Sequence, residues 1–70
     1  MIPLVLADVG EEQIIKKVGG SQALKQHLAD LGFVPGGGVT VLTAIGGNVI
    51  VRVKESRVAI SREMAQKIFV

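Results

Sequence analysis

Seventy residues with no linker suit a single domain, residues 1–70, and a domain so small buries only roughly 60% of the surface its unfolded chain exposes, so its core is thin. The chain lacks cysteine, which excludes both a disulfide framework and a thiolate metal site. Eight Lys and Arg against six Asp and Glu give a formal net charge of +2, and charge alone names no partner.

The start of the chain, Met1 to Ala7, is apolar but carries no basic leader and is cut off by Asp8, so it does not have the form of a signal peptide. No apolar run approaches the ~20 residues that span a bilayer, and a cytoplasmic location is expected. Leu4 to Val9 suits a strand or an extended arm, which Gly10, Glu11 and Glu12 interrupt. Glu12 to Val18 predicts a second strand of partial alternation, with Lys16 and Lys17 as a solvated edge. Gly19-Gly20 then leads into the one clear helix, about Ser21 to Leu31.

In that helix Ser21 is placed to cap the first turn, and Leu24, Leu28 and Leu31 recur at i, i+4 and i+7 to form a core face. Gly32 can take the left-handed conformation, which puts Phe33 onto Leu28 in a Schellman cap, and Pro35 bars a return to helix. Beyond Gly36-Gly37-Gly38, Val39 to Ile45 alternates as a strand. Gly46-Gly47-Asn48 supplies a hairpin turn, and Val49 to Val53 resumes the pattern. The predicted inner face is Val39, Val41, Ile45, Val49, Val51 and Val53. Leu42 and Ile50 fall on the other face, apolar where polar groups are expected.

Lys54-Glu55-Ser56-Arg57 reads as a polar turn and Val58-Ala59-Ile60 as a short strand. Ser61 caps a single helical turn through Met64, with the small Ala65 against the core, and Ile68 to Val70 forms a last strand. The fold class is therefore mainly β, a small, partly closed β-barrel with one inserted α-helix and a short helical turn near the C-terminus.

No stretch carries a recognisable catalytic pattern. The glycine runs lack the helix start or the Lys-Ser/Thr pair of a phosphate cradle and read as turns. Ser21, Ser56 and Ser61 are accounted for as caps or turn residues, and a barrel filled by its own side chains has little room for a catalytic pocket, so no enzyme is expected. Phe33 and Phe69 are the only aromatics, and both are wanted in the core. That argues against stacking on single-stranded nucleic acid and against an aromatic groove for proline-rich peptides. His27 and Asp30, three apart on the helix, can reach one divalent metal ion, but two ligands are too few for a tight site, and Met64 is too generic a third. Hydrophobic residues make up 49% of the chain, so some apolar area is expected to stay exposed and to mark a partner surface.

Read together, Leu4-x-x-Ala7-Asp8-Val9-Gly10-Glu11, Ile14/Ile15, Leu28-x-x-Leu31-Gly32-Phe33-x-Pro35-Gly36, Val51-x-Val53, Val58-Ala59-Ile60-Ser61 and Ala65-x-x-Ile68-x-Val70 resemble the FeoA domain of the bacterial ferrous-iron transport system. Leu31 to Gly36 is the most specific piece. The chain departs from the family's usual pattern at Lys54 to Arg57, where a glycine is common. The resemblance implies an SH3-like barrel in the cytoplasm, peripheral to the inner membrane, acting as an accessory to FeoB, the permease that carries a G-protein domain. It does not imply an iron ligand; the scarcity of aromatics and the absence of a long apolar run are what speak against a nucleic acid partner and against insertion into the membrane. The regulatory C-terminal domain of iron-dependent repressors shares the architecture and is one alternative; a direct metal-binding protein resting on His27 and Asp30 is another. A partner surface is expected on the helix and the following turn, at Leu24, Lys25, Gln26, His27 and Val34, joined by Leu42 and Ile50. The last two are also expected to serve a homo-oligomer.

Overall fold

Alternating valines make the central sheet, and its hairpins follow from the residues between them. The computed structural model describes residues 1–70. Its strands are β1 (Glu12–Ile14), β2 (Lys17–Val18), β3 (Gly38–Ile45), β4 (Asn48–Val53), β5 (Ser56–Ser61) and β6 (Ile68–Phe69), with helices α1 (Gln22–Leu31) and α2 (Arg62–Ala65). Strands β1-β3-β4-β5 form an antiparallel sheet, and β2 pairs with β6 in a second, two-stranded one. The molecule is the expected mainly β, partly closed SH3-like barrel with one inserted helix.

The run from Glu12 to Val18 is not one strand, because it serves both sheets. Ile15 N–H donates to the Gly37 carbonyl at 2.9 Å and its own carbonyl accepts from Gly36, while Lys16 N–H donates to Phe69 on β6 at 2.8 Å. The chain thus changes sheets within two residues. That bend explains the imperfect alternation: Ile15 is buried, whereas its neighbour Ile14 is exposed. Leu4–Leu6 is a 3-10 turn rather than a strand, and it drives Leu4 into the core while Leu6 and Val9 face solvent. The extended arm is instead Ile2-Pro3, with Ile2 exchanging both backbone hydrogen bonds with Val70.

A second correction concerns the inner face. Val39, Val41, Val49, Val51 and Val53 are buried as predicted, but Ile45 is 65% exposed. Val41 faces Val51 while Thr43 faces Ile50, so Leu42 is an extra residue in β3. One inserted residue reverses the face of everything after it. Ile45 consequently pairs with Asn48 on the outer side. Leu42 and Ile50 do lie off the inner face, but both are half-buried rather than free.

The turns are tighter than the sequence suggests. The β3–β4 loop is the two residues Gly46-Gly47, with only Gly46 at positive φ (58°), the pattern of a type II′ hairpin. Likewise only Lys54 and Glu55 join β4 to β5, at φ 49° and 66°, and Ser56 and Arg57 are already strand. Two consecutive positive φ values define the type I′ pattern, which matches the right-handed strand twist even when no glycine is present.

Both helix caps form as expected. Ser21 Oγ accepts from Leu24 N–H and Ser61 Oγ from Met64 N–H, each at 3.1 Å. At the end of α1, Gly32 (φ 109°) donates to Ala29 O and Phe33 donates to Leu28 O, which is the Schellman pair of bonds. Phe33 and Leu28 are both fully buried beneath it. Thirteen apolar residues make one continuous core to which both helices and both sheets contribute. Phe69 is not among them: it is half-buried, with Lys17 Nζ 5.9 Å from its ring centre.

Candidate functional site

The helix that pins the core also presents a second face. Leu24, Leu28 and Leu31 turn inward, Leu28 completely and the other two in part. Gln22, Lys25, Gln26 and Ala29 recur at i, i+3, i+4 and i+7, so they share a different stripe of the same helix. Because the Schellman cap reverses the chain at Gly32, Phe33, Val34 and Pro35 come back alongside that stripe. Together with Val18 of β2 they line a groove of about 270 Å³. Four of its lining residues are apolar, Val18, Ala29, Phe33 and Val34, with Phe33 itself almost fully buried, and the others contribute one ammonium, two carboxamides and the ring of Pro35.

Of the predicted partner surface, Lys25, Gln26 and Val34 line this groove. Leu24 does not, since it packs against the core. His27 is exposed on the helix but outside the groove, and Leu42 and Ile50 lie on the sheet away from it. Val18, Gln22, Ala29, Phe33 and Pro35 are additions that the sequence reading missed. The spacing of Gln22, Lys25, Gln26 and Ala29 was a usable signal for two of these five, Gln22 and Ala29. The closure by Val18 was not, since it depends on the sheet change at Ile15.

His27 and Asp30 do not form a ligand pair with a third group. Asp30 Oδ1 accepts a hydrogen bond from Gln26 Nε2 at 2.9 Å, and nowhere do three His, Cys, Asp or Glu side chains gather as a metal site. No buried residue is polar or charged, and no buried side-chain polar atom lacks a partner. A second groove of about 280 Å³ crosses the outer sheet face between Glu12, Arg52, Lys54 and Glu55. It has no apolar lining, and its two carboxylates and two cations cancel.

Fold and site therefore define a class: a small SH3-like barrel whose distinctive feature is an external groove beside its inserted helix. The FeoA domain model matches residues 2–70, and the chain belongs to the FeoA domain family. It is 39% identical over all 70 residues to a protein of Methanocaldococcus jannaschii named as an Fe(2+) transport protein A, of which it covers 85%. The crystal structure of an iron uptake regulatory protein (FeoA) superposes with a TM-score of 0.86 at 28% identity, over 96% of this chain and 89% of that one. A manganese-dependent transcriptional repressor gives a TM-score of 0.87 at 18% identity, over 97% of this chain and 39% of that one. This last likeness is one of fold alone.

Proposed function

We propose that this chain is a non-enzymatic accessory of ferrous-iron uptake that docks from the cytoplasmic side on a FeoB-like permease and modulates it. The observation that carries the reading is membership of the FeoA family along residues 2–70, joined to a 39% identical relative named for Fe(2+) transport. The geometry agrees with a binding role, because the functional surface available is an open groove and a catalytic constellation would require converging ionisable groups in a pocket. The docking surface is the groove between α1 and the Phe33–Pro35 turn. In this reading the protein reaches the membrane through the permease; no helix of its own is long and apolar enough to cross one.

The test is co-purification and calorimetry with the cytoplasmic domain of the permease and with the full permease in membranes, each with and without GTP. Saturable binding that Val34→Glu weakens is the expected result. Indifference of both permease preparations to the wild-type chain removes the proposal.

A further inference from the structure

One edge of the larger sheet is left open, and the order of its residues says what closes it. Strand β5 pairs with β4 and has no strand on its other side. Arg62 N–H donates to the Gly47 carbonyl at 3.1 Å, which fixes the alternation of the β4–β5 ladder. Even-numbered residues bond toward β4, so the N–H and C=O groups of Arg57, Ala59 and Ser61 point outward. None of the backbone hydrogen bonds outside the ladders and helices involves those three residues.

Exposed edges are ordinarily blunted by short length, by lysine or proline, or by a bulge. The other outer strands follow that rule, at three residues for β1 and two each for β6 and for β2, which carries Lys17. Strand β5 does not. It runs for six residues in unbroken register, without proline, glycine or lysine, and Arg57 is its only charge. Such an edge is a template for one more antiparallel strand.

The strand is also complementary to itself. Turned about a two-fold axis at Ala59, it meets a second copy with Ala59 opposite Ala59, Arg57 opposite Ser61 and Val58 opposite Ile60. Faces then match across the contact, since Val58 and Ile60 lie opposite Val51 and Val49 on the core side and Ala59 lies opposite Ile50 on the outer side. Val58, half-buried at the open edge, gains a β-branched partner. The two Arg57 side chains stand at opposite ends of the ladder. Other registers fit less well: centred on Val58 the two arginines become diagonal neighbours, centred on Arg57 they meet directly, and centred on Ile60 Arg57 runs past the end of the strand.

We infer that the free edge of β5 pairs antiparallel with β5 of a second copy about a two-fold axis at Ala59, joining two four-stranded sheets into one. Ile50 stands beside Ala59 and borders the contact without making it. The shared ladder is about 17 Å long. A contact confined to it is small beside the roughly 1,000 Å² of a stable interface, so monomer and dimer exchange, with a Kd of about 0.1–1 mM. No residue of β5 lines the groove beside α1, so the dimer and docking at that groove are independent.

The experiment is sedimentation and amide NMR of the full chain from about 20 µM to about 2 mM. The dimer is expected to grow to at least about half of the chain at the top of that range, with the amides of Arg57, Ala59 and Ser61 moving along the same curve. Ala59→Lys, at an exposed position, brings two ammonium groups together at the axis and should hold the chain monomeric without unfolding it. Ala59→Glu should do the same, and an equal mixture of the two variants should regain the dimer, because each then meets the opposite charge. A chain that stays monomeric throughout overturns the inference, as does a dimer that both variants leave intact. Failure of the mixed variants to pair, when each alone has lost the dimer, removes the axis at Ala59. Amides of β5 that ignore concentration but move when the permease is added would give the edge to a foreign strand and overturn it too.

Discussion

Gly32 is the residue on which most of the local geometry turns. At φ 109° it occupies backbone space that costs an L-residue roughly 1–2 kcal/mol, and a side chain added there would meet Val53 Cγ2 at 3.3 Å. A β-branched residue compounds both terms, so Gly32→Val should destabilise by about 3 kcal/mol and lower Tm by about 10–20 °C. An unchanged melting curve would show that the cap tolerates a side chain. This much was legible in the sequence, because Leu28, Gly32, Phe33 and Pro35 act within a few residues of one another. The opposite case is Ile45: its position in the alternation was correct, and only the extra Leu42 upstream turned it outward. Phe69 was misplaced for a related reason, since its short strand ends at the barrel's rim beside Lys17.

At the scale of elements, the β4–β5 hairpin holds the least expected conformation. Lys54 and Glu55 both sit at positive φ, where Asn and Gly belong in a type I′ turn. Relief of strain exceeds the entropy cost of the added glycine, so Lys54→Asn with Glu55→Gly should stabilise the chain by about 1 kcal/mol. A denaturant midpoint that falls instead would mean that contacts of the two native side chains outweigh the strain. The helix starts offer a complementary check. Removing the Ser21 hydroxyl that holds Leu24 N–H, in Ser21→Ala, should cost about 1 kcal/mol and fray the first turn of α1, seen as faster amide exchange at Leu24. Elements of this kind were readable as to type but not as to length. The two-residue turns and the break of Glu12–Val18 into β1 and β2 arise from pairing between distant strands, which no local pattern records.

For the molecule as a whole, one core of thirteen apolar residues joins two small sheets and two helices, so local damage becomes global. Leu28→Ala removes a fully buried side chain beneath the Schellman cap and should cost about 2–5 kcal/mol, a large share of what so small a domain has. Two-state loss of all amide protection together would bear this out; selective loss in α1 would argue for a separable helix. The same arrangement explains why the groove was half visible beforehand. Lys25, Gln26 and Val34 belong to the helix and its turn, whereas Val18 arrives only through the second sheet. What remains central is the proposal that a FeoB-like permease docks at this groove. Calorimetry of the permease's cytoplasmic domain against the wild-type chain and against Val34→Glu, a half-buried residue of the groove lining, addresses it most directly. The account predicts saturable wild-type binding, weakened at least about tenfold in a variant that melts within a few degrees of the original. Equal affinity of the two folded proteins, or no binding by either, would contradict it.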